Sequence, residues 1–93
     1  MEGLIVVSQL VKIANPTGFD VKPAGILCKE AMKFKSKVTY CYGNGNIANA
    51  KSMLSVLGSS VKYGEEIQLE CEGEDEEMAL AHLVACIEKG LED

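Results

Sequence analysis

The sequence predicts an α+β fold, a two-layer sandwich in which helices pack on one face of a four-stranded, mainly antiparallel sheet, in the order βαββαβα. Apolar and polar residues alternate at residues 67–72, which is typical of a strand with one face in water. Apolar residues instead recur at helical spacing near residues 24–34 and 80–87. Turn residues separate these segments, and 93 residues suffice for a single domain, which we place at 1–93.

The first half of the chain contains a strand, a helix and a hairpin. Residues 4–13 are rich in Leu, Ile and Val and predict the first strand, and the turn residues 15–18 end it. A helix is expected from about Val21, with Asp20 at or next to its N-cap and Pro23 in its first turn. One face of this helix carries Ala24, Leu27, Cys28, Ala31 and Phe34. Residues 37–42 and 46–49 predict two strands joined by a turn at 43–45.

The second half repeats the alternation of helix and strand. Ser52 is expected to begin a short helix that Gly58 ends. A turn at 63–65 leads to the strand at 67–72, and the acidic residues 73–77 suit the start of a last helix. That helix should end near Gly90, and its apolar stripe is expected to be Leu80, Leu83, Val84 and Ile87.

Charge restricts the classes of function. The net charge of −5 argues against non-specific binding to nucleic acid. Residues 22–37 hold five lysines and one glutamate, whereas residues 65–93 hold eleven acidic residues and one lysine. This asymmetry suits docking to a charged protein partner, or it reflects two solvated faces. No segment reaches the about 18 apolar residues of a membrane span, and residues 4–11 lack a basic flank, so we expect no membrane insertion and a cytoplasmic protein.

The four cysteines predict neither a disulfide framework nor a metal site. They are far apart, C-x-x-C is absent, and His82 is the single histidine. We therefore expect reduced thiols that act mostly as small buried apolar groups, with no zinc site, no other metal and no cofactor. The chain also shows no nucleophile–base pair and no nucleotide-binding glycine loop, so we expect that it is not an enzyme.

Two segments carry a resemblance to a known family. Residues 15–24, Asn-Pro-Thr-Gly-Phe-Asp-Val-Lys-Pro-Ala, are similar to the active-site segment of HPr, the phosphocarrier of the bacterial sugar phosphotransferase system. Residues 49–57, Asn-Ala-Lys-Ser-Met-Leu-Ser-Val-Leu, resemble the regulatory segment of the same family, in which a serine follows a lysine and opens the second helix. The resemblance covers essentially the whole chain and implies the HPr-like sandwich.

The first segment departs from the family pattern. By this resemblance the phosphorylated histidine falls on Asp20, the assisting arginine on Lys22 and the intervening alanine on Val21. Aspartate could form only an acyl phosphate, which usually needs a metal, so we expect that Asp20 does not carry phosphate from phosphoenolpyruvate. Three roles for Asp20 stay open: a helix cap, a fixed charge that imitates the phosphorylated state, and an acyl-phosphate carrier. His82 lies far along the chain from this segment and is expected to be a partly exposed structural residue.

The second segment keeps its serine. The resemblance implies that Ser52 is the target of an ATP-dependent HPr kinase, and its alternative role is that of a helix N-cap alone. Lys51 and the apolar residues Met53, Leu54 and Leu57 would then form a docking patch beside the phosphate. Of the four apolar residues of this helix, which include Val56, about two are expected to face inward.

The resemblance implies a regulatory protein. Loss of the histidine with retention of the serine resembles the catabolite-repression paralogues of HPr, which bind a transcription regulator when serine-phosphorylated. The predicted partners are proteins of the phosphotransferase system or such a regulator, with no direct contact to nucleic acid. The alternatives are an adaptor that competes with HPr without phosphorylation, and a phosphocarrier that uses Asp20. The active-site-like loop comprises Thr17, Gly18, Asp20, Val21, Lys22 and Pro23.

Overall fold

A computed structural model describes residues 6–92, and its elements follow the predicted order βαββαβα. The elements are β1 (Val7–Lys12), α1 (Val21–Ala31), β2 (Lys37–Tyr42), β3 (Asn46–Asn49), α2 (Met53–Ser59), β4 (Glu66–Glu72) and α3 (Glu76–Glu88). The predicted beginning of the first strand, at residues 4 and 5, lies outside the described residues. None of the helices in the described range is long and apolar enough to cross a membrane.

The strands form one antiparallel sheet in the order β1-β4-β2-β3. The last strand in the sequence, β4, thus lies between β1 and β2. Ile67, Leu69 and Cys71 of β4 are buried, and the residues between them are exposed or half-buried. Because β4 has hydrogen-bonded neighbours on both sides and one dry face, it follows the predicted alternation closely.

The helices and the sheet share one core. α3 packs against β1 and β4, while α1 contacts both α2 and α3. Buried side chains come from both layers, and among the largest that are fully buried are Ile13, Leu27, Tyr40, Ile67, Leu69, Leu83 and Ile87. Not every apolar residue of β1 faces the core, since Leu10 is 61% exposed.

Two predicted helix ends are wrong. Phe34 was expected on α1, but α1 ends at Ala31, and the amide of Phe34 donates to the Ala31 carbonyl in the following turn (3.2 Å). The chain leaves the helix there because the next backbone amides, of Lys35 and Ser36, donate to the carboxylate of Asp75. Phe34 still packs against the core.

The end of α2 lies one residue beyond the predicted Gly58. The helix runs through Ser59, and the left-handed residue at its C-cap is Ser60, with φ 52°. Ser59 is buried, and its hydroxyl donates to the carbonyl of Val56 (2.6 Å) while it pairs with the hydroxyl of Tyr40 (2.8 Å). This anchoring extends the helix past the glycine.

Two further expectations need correction. Ala79 is fully buried at the start of α3, while the neighbouring Leu80, predicted in the stripe, is half-buried. The cysteines were expected to be mostly buried, but among the four free thiols Cys71 alone is buried and the other three are half-buried. Burial raises the pKa of the Cys71 thiol to about 11. Three thiols therefore remain within reach of polar neighbours.

Candidate functional site

The loop between β1 and α1 is closed by hydrogen bonds between Asn15 and Gly18. The amide of Gly18 donates to the carbonyl of Asn15 (3.1 Å), and the Asn15 side-chain amide donates back to the carbonyl of Gly18. Gly18 has φ +66°, and a Cβ at this position would lie 2.4 Å from the carbonyl oxygen of Val61. The loop therefore needs glycine at position 18, both for its backbone angle and for this close approach.

Phe19 anchors the loop to the core. Its side chain is 3% exposed, and its ring meets the ring of Tyr40 edge to face with centroids 5.5 Å apart. Its amide donates to the carbonyl of Val61 (2.9 Å). Because Phe19 is fixed by both its side chain and its backbone, the next residue, Asp20, is held at the surface where α1 begins.

Asp20 is the N-cap of α1, as predicted. Its carboxylate Oδ1 accepts a hydrogen bond from the amide of Val21 (2.8 Å), and its carbonyl accepts the first helical bond, from Ala24 (2.8 Å). The backbone of Asp20 is extended, with φ −77° and ψ −178°, as is usual for an N-cap. The side chain is exposed. A carboxylate thus interacts with the amide end of the helix, where negative charge is stabilised.

The other residues of the predicted loop surround Asp20. Thr17, Val21 and Lys22 are exposed, and Pro23 is half-buried in the first turn of α1, where a missing N–H breaks no helical bond. Gly18 lies buried beneath them. The structure therefore brings the six predicted residues together in one loop and one helical turn.

The chemistry open to Asp20 is limited by its surroundings. An acyl phosphate on a carboxylate gathers negative charge that enzymes usually neutralise with a divalent cation. Within residues 6–92, the group of side chains that could hold a metal ion consists of Glu30, His82 and Cys86 and does not include Asp20. What the structure shows at Asp20 is a carboxylate engaged as the cap of α1.

Ser52 begins α2 as its N-cap. Its hydroxyl accepts a hydrogen bond from the amide of Ser55 (3.2 Å), and its backbone is extended, with φ −115° and ψ 117°. The hydroxyl of Ser55 in turn accepts from the amide of Asn49 (2.8 Å), which ties the helix to the end of β3. Ser52 is a half-buried residue at the start of this helix.

The apolar residues of α2 divide between the core and the surface. Val56 is fully buried and Leu54 is 84% exposed, while Met53 and Leu57 are half-buried and pack against the core. One side chain therefore points inward, one points outward, and two lie at the boundary of the core. The sequence predicted two inward and two outward. Leu54 has the largest exposed fraction of the large apolar side chains in the described residues.

Lys51 joins α2 to the end of α1. Its ammonium group donates to the carbonyl of Phe34 (2.8 Å), and its own carbonyl accepts from the thiol of Cys28 (3.1 Å). The side chain is half-buried. Lys51 therefore has a structural contact in addition to the docking role predicted for it.

His82 lies far from the loop around Asp20, on α3. Its Nε2 lies 2.6 Å from the carboxylate of Glu30 on α1 and 3.6 Å from the thiol of Cys86, one turn further along α3. The ring packs beside Phe34, with centroids 5.4 Å apart. Its side chain is 42% exposed, so the predicted partial exposure is confirmed.

The sequence interpretation missed this cluster. The hydrogen bonds from His82 and from Lys33 hold the pKa of the Glu30 carboxyl below its ordinary value, and burial raises the pKa of the Cys86 thiol. Glu30 and His82 are 52 residues apart in the chain, so no local motif joins them. The signal available was the four-residue spacing of His82 and Cys86, which places both on one face of a helix.

The βαββαβα sandwich with two capped helix starts is the class of domain that the HPr-like fold defines, and comparison with known proteins identifies the family. A family model described as "PTS HPr component phosphorylation site" matches residues 7–89. The chain is 38% identical over 77 residues to the phosphocarrier protein HPr of Mycoplasma genitalium, covering 83% of this chain and 88% of that protein. It is 35% identical over 83 residues to the HPr-like protein Crh of Bacillus subtilis, covering 89% and 96% of the two chains.

Structural comparison agrees with the sequence matches. The crystal structure of HPr-C-His from Thermoanaerobacter tengcongensis superposes with a TM-score of 0.87 and 32% identity, covering 94% of this chain and 98% of that chain. The chain therefore belongs to the HPr family of the phosphotransferase system, whose matched members include phosphocarrier proteins and the HPr-like protein Crh. Members of this family are not catalytic enzymes, and family membership implies partners from the phosphotransferase system.

Proposed function

We propose that this chain is a regulatory member of the HPr family that acts through phosphorylation of Ser52 and protein–protein binding, and not as a phosphohistidine carrier. It is taken as one domain over residues 1–93 that works in the cytoplasm. Its partners would be proteins of the phosphotransferase system or a transcription regulator, and an HPr kinase would modify it.

The observation that carries the proposal is the placement of the histidine. The chain has one histidine, His82, which lies on α3 in contact with Glu30. The residue at the start of α1 is Asp20, whose carboxylate already accepts from the amide of Val21. A phosphohistidine carrier needs an imidazole nitrogen as the nucleophile, and the loop that resembles the family's active site offers a carboxylate in its place.

The position of Ser52 suits a phosphoryl group. A dianion on its hydroxyl would lie at a helix start, where backbone amides such as that of Ser55 point outward. The phosphoryl oxygens can accept the hydrogen bond that the hydroxyl now accepts from Ser55. Phosphorylation would therefore keep the helix capped and add negative charge to its surface.

The exposed part of α2 supplies the apolar half of the proposed docking surface. Leu54 is 84% exposed, and the half-buried Met53 and Leu57 lie at its margins. Lys51 adjoins the phosphorylation position in the sequence, and its backbone amide is held by the side chain of Asn49 (2.9 Å). A partner that reads phosphoserine next to an exposed leucine would recognise Ser52 in its modified state alone.

The test is intact-mass analysis of the untagged protein after two parallel reactions. One contains ATP and an HPr kinase, and the other contains phosphoenolpyruvate and enzyme I. We expect one added phosphate from ATP and none from phosphoenolpyruvate. Ser52→Ala should abolish the addition. Ser55→Ala is the matched control, because Ser55 lies one helical turn away from Ser52. This variant should still gain one phosphate from ATP.

Each alternative outcome has a defined meaning. Phosphate gained from phosphoenolpyruvate, labile to hydroxylamine and lost in Asp20→Ala, would identify an acyl-phosphate carrier and overturn the proposal. No phosphate from either source would leave Ser52 as a helix cap. Phosphate from ATP that persists in Ser52→Ala would move the modification to another residue.

A second candidate is an adaptor that competes with HPr without being phosphorylated. The basic residues of α1 and the following turn favour it, because Lys29, Lys35 and Lys37 are exposed beside Lys22 and Lys33. Lys33 is paired with Glu30 (3.0 Å) and Lys35 with Glu74 (3.6 Å), so the basic surface is partly compensated within the fold. Binding that weakens with added salt and is unchanged by Ser52→Ala would favour this adaptor.

A further inference from the structure

We propose that Glu30, His82 and Cys86 form a binding site for one Zn²⁺ ion between α1 and α3. The three side chains offer an oxygen, a nitrogen and a sulfur ligand whose atoms all lie within 4.8 Å of one another. Carboxylate, imidazole and thiolate are the ligands that zinc prefers in proteins. This site is independent of the proposed role of Ser52.

The existing distances come close to zinc coordination. His82 and Cys86 are separated by one helical turn, and Nε2 lies 3.6 Å from Sγ. In a tetrahedral zinc site with usual bond lengths, a nitrogen and a sulfur ligand lie about 3.5 Å apart. The contact between Nε2 and the Glu30 carboxylate, at 2.6 Å, must open to about 3.3 Å to admit the ion. The same ring nitrogen faces both other ligands, so the ion would replace the proton of the present hydrogen bond.

Accessibility and charge also suit the ion. The side chain of His82 is 42% exposed and that of Glu30 is 18% exposed, so an ion can enter from solvent and one coordination position stays open to water. On binding, the S–H bond of Cys86 breaks, the thiol proton leaves to the buffer, and a Zn–S bond forms. At His82 a Zn–N bond replaces the N–H bond at Nε2, and the neutral ring carries its proton on Nδ1 instead, by exchange with solvent. One thiolate and one carboxylate then balance the double positive charge.

Lys33 opposes binding and so provides a control. Its ammonium group lies 3.0 Å from the same Glu30 oxygen that contacts His82. The ion and the ammonium group compete for this carboxylate. Removing the charge by Lys33→Met should therefore tighten zinc binding if, and only if, the ion sits at this cluster.

The experiment is titration of the untagged, reduced protein with Zn²⁺ against a chromophoric chelator, and with Co²⁺ followed by absorption spectroscopy. We expect one ion per chain and a thiolate-to-cobalt charge-transfer band. His82→Gln, Glu30→Gln and Cys86→Ser should each weaken Zn²⁺ binding at least about tenfold. Cys86→Ser should also abolish the charge-transfer band. Cys41 is another half-buried cysteine, on β2, and Cys41→Ser should keep both the Zn²⁺ affinity and the charge-transfer band. Lys33→Met should bind more tightly than the unmodified chain.

The proposal fails if the charge-transfer band survives in Cys86→Ser, or if His82→Gln and Lys33→Met bind zinc as the unmodified chain does. It also fails if the unmodified chain binds no ion. Circular dichroism checks that each variant is folded, and if Cys86→Ser is not, the exposed His82→Gln and Lys33→Met still decide the question. None of these outcomes depends on whether Ser52 is phosphorylated.

Discussion

The carboxylate of Asp75 accepts hydrogen bonds from both the backbone amide (2.9 Å) and the hydroxyl (2.5 Å) of Ser36. A third bond comes from the amide of Lys35 (2.9 Å). Asp75 occupies the N-cap position of α3, yet its side chain makes no capping bond to that helix. The carboxylate instead fastens the turn that follows α1 to the start of α3, and Ser36 beneath it is buried.

Acid should weaken this connection. The three hydrogen bonds, of which the hydroxyl of Ser36 gives the strongest effect, lower the pKa of Asp75 to about 2 from an ordinary 3.8. A carboxyl whose pKa is depressed in the folded state stabilises the fold above its ordinary pKa and loses that stabilisation as the carboxyl is protonated. We therefore expect the free energy of unfolding to fall between pH about 4 and about 2, partly through this group.

Urea denaturation at a series of pH values checks this expectation. Asp75→Asn should lower stability near neutral pH and flatten the fall in the acid range. Glu74→Gln is the matched control. The Glu74 carboxylate adjoins Asp75 in the sequence, but it is largely exposed and pairs with the ammonium group of Lys35, 3.6 Å away. An acid dependence in Asp75→Asn as steep as that of the unmodified chain would contradict the assignment.

Gly18 should tolerate no side chain. Gly18→Ala places a Cβ 2.4 Å from the carbonyl oxygen of Val61 at a backbone with φ +66°. We expect a loss of at least about 2 kcal/mol in the free energy of unfolding. Gly25→Ala is the control within α1: a Cβ there meets nothing within 4 Å, so it should stabilise the protein by about 0.5–1 kcal/mol. Urea denaturation of both variants measures the difference, and equal effects would contradict the loop geometry.

The buried pair Tyr40 and Ser59 should respond unequally to the loss of either partner. The hydroxyl of Ser59 donates to the carbonyl of Val56, so the hydroxyl of Tyr40 donates to Ser59. Ser59→Ala leaves the buried phenol donor without an acceptor and should cost about 2 kcal/mol. Tyr40→Phe leaves Ser59 bonded to Val56 and should cost about 1 kcal/mol.

Thermal and urea unfolding of the two single variants and the double variant give the pairwise energy. The double variant should lose less than the sum of the single losses, because both removals act on one hydrogen bond. Tyr42→Phe, whose ring packs 5.8 Å from that of Tyr40, is the control for loss of a phenol and should change stability by no more than about 0.5 kcal/mol. A strictly additive double variant would count against the hydrogen bond.

Periodicity predicted most of the fold, because burial on one side imposes it directly. Ile67, Leu69 and Cys71 face the core in β4, and the alternation in the sequence is the same as the alternation in burial. Local chemistry predicted the two caps as well, since Asp20 and Ser52 bond to amides only one and three residues away.

The errors arise where a distant residue decides a local conformation. α1 ends before Phe34 because Asp75, about 40 residues away, binds the amides of Lys35 and Ser36. α2 continues past Gly58 because Ser59 is held by Tyr40. The cluster of Glu30 and His82 joins two helices in the same way. Such contacts leave no periodic signal, so composition and spacing alone do not predict them.

Asp20 allows capping to be separated from charge. Asp20→Ala removes the acceptor of the Val21 amide and should cost about 1 kcal/mol of stability, measured by urea denaturation. Asp20→Asn keeps a side-chain oxygen at the same place and should stay within about 0.5 kcal/mol of the unmodified chain, because asparagine and aspartate cap almost equally well.

Binding measurements on the same two variants then distinguish the roles left open for this residue. If Asp20 is a cap alone, Asp20→Asn binds partner proteins of the phosphotransferase system as the unmodified chain does, at equal salt. If the carboxylate imitates part of a phosphorylated state, Asp20→Asn loses affinity while its stability is preserved. Since the side chain is exposed and its neighbours Val21 and Lys22 are too, the substitution removes charge from this surface without exposing any of the core.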